Sequence, residues 1–139
     1  MLFLCVVVWV GDTAAMYVGK SLGYHKMAPA ISPGKTWEGA AGGIAAVVVY
    51  ALALLPLASR AGYDAPLDAL RVGAWIVFAI ALAALSIVGD LHESLLKRRA
   101  GVKDSGSLLP GHGGILDRTD ALLAAMPPVA LAASFVLAK

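Results

Sequence analysis

Three stretches of this chain, residues 40–58, 72–88 and 121–138, contain no charged side chain. About 20 mainly apolar residues are enough to carry a helix across the hydrocarbon core of a bilayer. Inside lipid a single segment must satisfy its own N–H and C=O groups, which leaves the helix as its available form. A fourth stretch, residues 1–10, is apolar and runs on through Gly11, Asp12 and Thr13 to Gly19. It joins the set if Asp12 is tolerated in a span. A cleaved leader fits this stretch less well, because no basic residue precedes the apolar run and no soluble domain follows it. Composition points the same way: of 139 residues 60% are hydrophobic and 14% charged, with a mean hydropathy of +0.81, against about 25% charged in ordinary soluble domains. The expectation is an all-α integral membrane protein of about four transmembrane helices, near residues 1–20, 37–58, 70–99 and 117–138. They would form a single membrane-embedded region. Cys5 is the sole cysteine, so no disulfide forms within the chain, and it reads as a small buried hydrophobe.

The charges sort by side. Lys20, Lys26 and Lys35 fall between the first two spans, and Lys97, Arg98, Arg99, Lys103 and Arg118 between the last two; only Arg60, Arg71 and Lys139 fall on the other side. Excess Lys and Arg marks cytoplasmic loops, so segments 21–35 and 100–116 are expected in the cytoplasm. The acids follow: Asp64 and Asp68 alone lie on the far side, and Asp12, Glu38, Asp90, Glu93, Asp104, Asp117 and Asp120 lie on or near the cytoplasmic face. One face is chemically busy and the other nearly blank.

Asp12, Asp90 and Glu93 sit in or against apolar runs, where an ionised carboxylate costs several kcal/mol unless it is paired or metal-bound. Ion pairing between helices is the plain explanation, and a functional site the sharper one. In "GDLHESLLKRRAG" (89–101), Asp90, Glu93, Ser94 and Lys97 are spaced i, i+3, i+4, i+7, which places them on one helix face. His92 falls off that stripe and reads as a surface residue. Asp117 and Asp120 repeat the i, i+3 spacing at the start of the last span, where capping and dipole compensation are worth about 1 kcal/mol.

In "SPGKTWEG" (32–39), Gly34-Lys35-Thr36 suggests a P-loop, but Pro29 stands where that motif needs a glycine. What remains is a turn at Pro33-Gly34, a cation at Lys35, and hydroxyls on Ser32 and Thr36 ahead of a helix N-terminus, a place suited to anions. Ser and Thr also cap helices routinely. Gly39 and Gly43 form a G-x-x-x-G, read as close helix packing within one protomer or between two. Pro127-Pro128 reads as a kink.

Residues 103–120, "KDSGSLLPGHGGILDRTD", place three carboxylates, two cations, a histidine and four glycines in one connection. Pro110 and its glycines rule out regular helix and expose backbone amides. Amides beside Lys103 and His112 favour phosphate, and carboxylates without cysteines select a hard cation such as Mg²⁺. The residues alone describe a membrane-face site for a phosphorylated substrate and a divalent metal.

The stretch "SLLKRRAGVKDSGSLLPGHGGILDRTD" (94–120) closely resembles the signature of the phosphatidate cytidylyltransferases, or CDP-diacylglycerol synthases: Ser, a Lys-Arg pair, Lys-Asp-Ser, then His-Gly-Gly and Asp-Arg-x-Asp. Upstream, "WVGDTAAMYVGKSLGYHKMAPAISPGKTWEGAAGG" (9–43) resembles the preceding block of the same family. The resemblance covers essentially the whole chain. Family members are typically about twice as long, so the chain looks like the C-terminal catalytic half without the family's N-terminal helices. The resemblance implies transfer of CMP from CTP to phosphatidate, giving CDP-diacylglycerol and pyrophosphate, at the cell inner (cytoplasmic) membrane, multi-pass, with the site facing the cytoplasm. It implies Mg²⁺, alone or with a second cation, held by Asp90 and Asp117 with Glu93 and Asp120 next. Asp90, Lys97, Lys103, Asp104, Asp117 and Asp120 would be catalytic. Ser32, Lys35, Thr36, Ser94, His112, Gly113, Gly114 and Arg118 would hold substrate, with Asp12 and Glu38 in support.

Other readings stand beside it. A CTP-dependent polyprenol or phytol kinase would move a γ-phosphoryl group to an alcohol and would need a base at the acceptor. A non-enzymatic membrane subunit would use the carboxylates for ion binding, and an isolated half could be inactive. CTP, phosphatidate and the bilayer are the expected partners, with association into a homodimer open and no nucleic acid expected.

Overall fold

The computed structural model describes residues 2–60, 68–102 and 116–137. The element order is α1 (Leu2–Leu22), β1 (Lys26–Ala28), β2 (Ser32–Thr36), α2 (Trp37–Arg60), α3 (Ala69–Arg99) and α4 (Leu116–Leu137). The chain is thus mostly helical, and its helices fall on the apolar blocks. The Trp37–Leu57 part of α2 and the whole of α3 are long and apolar enough to cross a membrane. At ~1.5 Å per residue the 31 residues of α3 extend to roughly 46 Å, well beyond a ~30 Å hydrocarbon core. Its last turns, which carry Glu93, Lys97, Arg98 and Arg99, therefore belong to a polar end.

Glycine determines how α1 meets α2. A Cβ on Gly39 would lie 2.7 Å from the Ala15 carbonyl oxygen, and one on Gly43 2.8 Å from that of Gly11. Such approaches exclude any side chain, so the two backbones touch. Gly39 sits beside Gly19, and Gly43 beside Gly11, which makes the helices antiparallel. The G-x-x-x-G is consumed inside the chain, and so it does not argue for association of two copies. Helix α3 runs antiparallel to α2 in turn, tied to it where Trp75 Nε1 donates to the Ala51 carbonyl at 3.1 Å. The core between them is built of small and branched residues: Val7 and Val8 of α1, Val47 and Ala51 of α2, Ala79, Leu82 and Ala83 of α3, and Ala121 and Ala125 of α4 are all buried. Small side chains let the helices approach closely, and close van der Waals contact is what holds helices together once lipid replaces water.

Local signals set the helix ends. Asp68 caps α3, its carboxylate accepting from the Arg71 N–H at 2.9 Å. At the other end Gly101 adopts φ +71°, the left-handed turn that closes a Schellman motif. There the Gly101 N–H donates to the Arg98 carbonyl (3.2 Å) and the Val102 N–H to that of Lys97 (3.0 Å). Thr36 caps α2, its hydroxyl accepting from the Gly39 N–H at 3.1 Å.

One part departs from an all-helical plan. The connection from α1 to α2 is an antiparallel ribbon in which Lys26 pairs with Thr36 and Ala28 with Ser32, with a shift of register between. Pro33-Gly34 does not form the turn; it lies within β2. The turn is at 29–31, closed by the Ile31 N–H on the Ala28 carbonyl at 3.1 Å. Pro29 takes the second position of that turn, where its fixed φ is favoured. Pro33 is tolerated because each strand of a two-stranded ribbon has one edge that forms no ladder.

Candidate active site

The antiparallel order brings the C-terminal ends of α1 and α3 and the N-terminal end of α2 to one end of the bundle, with the ribbon beside them. A cleft of about 990 Å³ opens there. Its polar lining comes from Asp12 on α1, from Ser32, Lys35 and Thr36 on β2, and from Asp90 on α3. Its apolar lining includes Trp9 and Met16 of α1, Met27 of β1 and Leu122 of α4. A separate cavity of about 10 Å³ between Gly11, Asp12, Gly43 and Ser86 is too small for more than a water-sized group.

Lys35, Asp90 and Thr36 are each held by an identifiable contact. The Lys35 ammonium pairs with the Asp90 carboxylate, joining β2 to α3 across the cleft. One turn further on, Glu93 is 7% exposed and pairs with Lys97 at 3.3 Å. Neither of its carboxylate oxygens has a hydrogen-bond partner among the described residues. The Lys97 ammonium beside it offsets part of the cost of burying a carboxylate. Thr36 is 3% exposed, and its hydroxyl is engaged as the α2 cap. Glu38 anchors the base of the ribbon: its carboxylate accepts from the His25 backbone N–H (3.2 Å to each oxygen) and lies 2.6 Å from His25 Nδ1. At the ribbon's tip the Arg98 Nε–H donates to the Ile31 carbonyl at 3.3 Å.

The structure therefore gathers Asp12, Ser32, Lys35, Thr36 and Asp90 around one cleft, with Glu93 and Lys97 on the next turns of α3. Ser94 is half-buried further along α3, and His92 is exposed. Lys103, Asp104, His112, Gly113 and Gly114 lie outside the described residues. Asp117, Arg118 and Asp120 fall in the first two turns of α4, with side chains outside the described residues. Trp9 and Met16 were not among the expected site residues, although their i−3 and i+4 spacing from Asp12 puts them on its helix face. Nor was His25, whose partner Glu38 is brought to it by the ribbon and by nothing local.

Chemically, the cleft offers a cation for a phosphate and oxygen donors for a hard metal. No group of three or more His, Cys, Asp or Glu side chains converges among the described residues. Among the described residues Asp12 and Asp90 are the carboxylates lining the cleft, and an all-oxygen donor set suits Mg²⁺ rather than a soft metal.

Residues 1–136 match the model of the cytidylyltransferase family. The chain belongs to that family. It is 40% identical over 127 residues to the phosphatidate cytidylyltransferase of Haemophilus influenzae, covering 91% of this chain and 43% of that protein. Identity is 48% over 126 residues with the enzyme of that name from Brucella suis, covering 90% of this chain and 43% of that protein. It is 46% over 125 residues with that from Bacillus subtilis, covering 90% and 44%. The chain spans less than half the length of these relatives. The cytidylyltransferase resemblance carried by 9–43 and 94–120 thus holds over about nine-tenths of the chain.

Proposed function

We propose that this chain carries the catalytic region for transfer of CMP from CTP to phosphatidate, forming CDP-diacylglycerol and pyrophosphate. The observation that carries the reading is the Lys35–Asp90 pair, set with Asp12 in one cleft at the polar end of the bundle. The names of the relatives over nearly the whole chain support it. A phosphate oxygen of phosphatidate forms a bond to the α-phosphorus of CTP, and the bond from that phosphorus to the bridging oxygen breaks, releasing pyrophosphate. No general base is required, because the attacking phosphate is already ionised. Lys35 offsets phosphate charge in the cleft, and Ser32 beside it on β2 orients the nucleotide. Lys97, Lys103, Ser94, His112, Gly113, Gly114 and Arg118 complete the substrate site by family resemblance, with Asp104 among the catalytic residues and Asp12 in support.

Asp90 and Asp117, with Glu93 and Asp120 next, are the residues that would hold Mg²⁺ or a pair of cations. The buried carboxylate of Glu93, lacking hydrogen-bond partners among the described residues, fits such a role. When bound, the metal supplies charge neutralisation at the transferring phosphoryl group. The catalytic task left to the protein is mainly positioning and electrostatics, as is usual in phosphoryl transfer.

In this reading all four helices span the inner membrane, and the cleft faces the cytoplasm, where CTP is found. Phosphatidate arrives within the bilayer, and the apolar lining from Trp9, Met16 and Leu122 is compatible with its acyl chains. Label transfer tests the reaction. With CTP labelled at the α-phosphorus the label should enter the lipid product; with CTP labelled at the γ-phosphorus it should leave as pyrophosphate. Appearance of γ-label in lipid would replace this reading with a lipid kinase.

A further inference from the structure

Among the described residues two contacts fasten the ribbon to α3: the Arg98 Nε–H on the Ile31 carbonyl at 3.3 Å, and Lys35 on Asp90. Ile31 and Lys35 are four positions apart, about 13 Å in extended chain at ~3.3 Å per residue. Asp90 and Arg98 are eight positions apart on a helix, about 12 Å at ~1.5 Å per residue. The two spans match and run in opposite directions, so β2 can lie antiparallel along the last turns of α3 and meet both anchors at once. The base of the ribbon is fixed separately, by the His25–Glu38 contacts and by the Trp37 N–H on the His25 carbonyl at 3.0 Å. The tip is fixed by Arg98. The helix end that carries Arg98 is itself capped, since the Schellman motif at Gly101 closes the helix immediately beyond it.

We infer that Arg98 is a positioning residue: by holding the Ile31 carbonyl it sets the register at which Lys35 on β2 meets Asp90 and the cleft. Arg98 acts through the strand, on a backbone acceptor, so the identity of side chain 31 is immaterial to the latch. Without the bond the tip of a short ribbon frays, and Lys35, on a flexible four-carbon stem, samples positions away from the phosphate. The consequence for catalysis rests on the cleft being the nucleotide site.

The test is a double-mutant cycle on CTP use, with amide hydrogen exchange across residues 26–36 as an independent arm. Arg98→Ala should raise the KM for CTP roughly five- to tenfold, the effect of losing one ordinary hydrogen bond, with kcat largely kept. Arg98→Lys, whose ammonium can reach the same carbonyl, should recover part of the loss. Arg99→Ala removes the same charge one position on and is the control. In a Lys35→Ala background Arg98→Ala should add nothing, because the residue it positions is gone. Effects of Lys35→Ala and Arg98→Ala that multiply would overturn the inference. Exchange in 26–36 should be faster in Arg98→Ala than in wild type or Arg99→Ala, and equal exchange in the two variants would likewise overturn it. Should the wild-type protein fail to use CTP, the proposed function falls, and the exchange arm alone still decides whether Arg98 latches the ribbon.

Discussion

Lys35 and Asp90 meet across the cleft from different elements, the ammonium carried by β2 and the carboxylate by α3. Their side chains are 23% and 33% exposed, and partly exposed ion pairs contribute only ~0–1 kcal/mol to stability. The pair matters more for what it holds ready. On the proposed function, an arriving polyphosphate would compete with Asp90 for Lys35 and leave the carboxylate free for a cation.

From this follows the behaviour of Lys35→Ala. If Lys35 meets phosphate in the ground state as proposed, its removal should raise the KM for CTP more than it lowers kcat. The melting temperature in detergent should move little. Arg60→Ala, at the opposite end of α2, serves as the comparison; equal kinetic effects in the two variants would refute a phosphate role for Lys35.

The α1–α2 seam makes a separate prediction about stability. Gly43→Val places a branched side chain where a Cβ already meets the Gly11 carbonyl oxygen at 2.8 Å, and backbone cannot yield as a flexible side chain can. A loss of about 1–3 kcal/mol is expected from overpacking of this kind. Gly73→Ala lies in α3 with nothing within 4 Å of the added carbon, and should be neutral or stabilising by roughly 0.5–1 kcal/mol. Melting of the two variants side by side in detergent checks the contrast, and equal melting would mean that the seam is not close-packed.

Membrane orientation can be read by labelling. Cysteines placed singly at Ser59 and Ser105, in a Cys5→Ser background, should react with an impermeant thiol reagent from opposite faces. The expectation rests on the eight-to-three division of basic residues. Reaction of both from one face would contradict four spans with a cytoplasmic cleft.

Much of this arrangement was legible in the sequence, and the parts that were not share a cause. Uncharged blocks mark helices because lipid and helix cores both exclude charge, and Gly39 and Gly43 mark the seam because only glycine permits backbone contact. The i, i+3, i+7 stripe of Asp90, Glu93 and Lys97 was readable because helical spacing is local. What that stripe could not reveal is how its members divide: Glu93 takes Lys97 on its own helix, while Asp90 takes Lys35 from β2. The ribbon was hidden by its composition, since Pro33 and Gly34 are residues that strands usually avoid. It forms because the chain must run from the end of α1 to the start of α2 while Lys35 and Ile31 find partners on α3. Arg98's bond to a carbonyl leaves no trace in side-chain pattern at all.

On the proposed function the Asp90 carboxylate takes part in the reaction rather than merely partnering Lys35. Asp90→Asn keeps the size of the side chain and its ability to accept a hydrogen bond from Lys35, and removes the charge a hard cation needs. If that charge supplies even ~4 kcal/mol of transition-state stabilisation, turnover falls about 10³-fold. The decisive measurement is the rate of CDP-diacylglycerol formation by Asp90→Asn at saturating CTP and Mg²⁺, with its melting curve taken on the same preparation and Asp64→Asn as control. A loss of about three orders of magnitude with an unchanged melting curve is the predicted result. Turnover within a few-fold of wild type in a folded Asp90→Asn protein would contradict that role for Asp90.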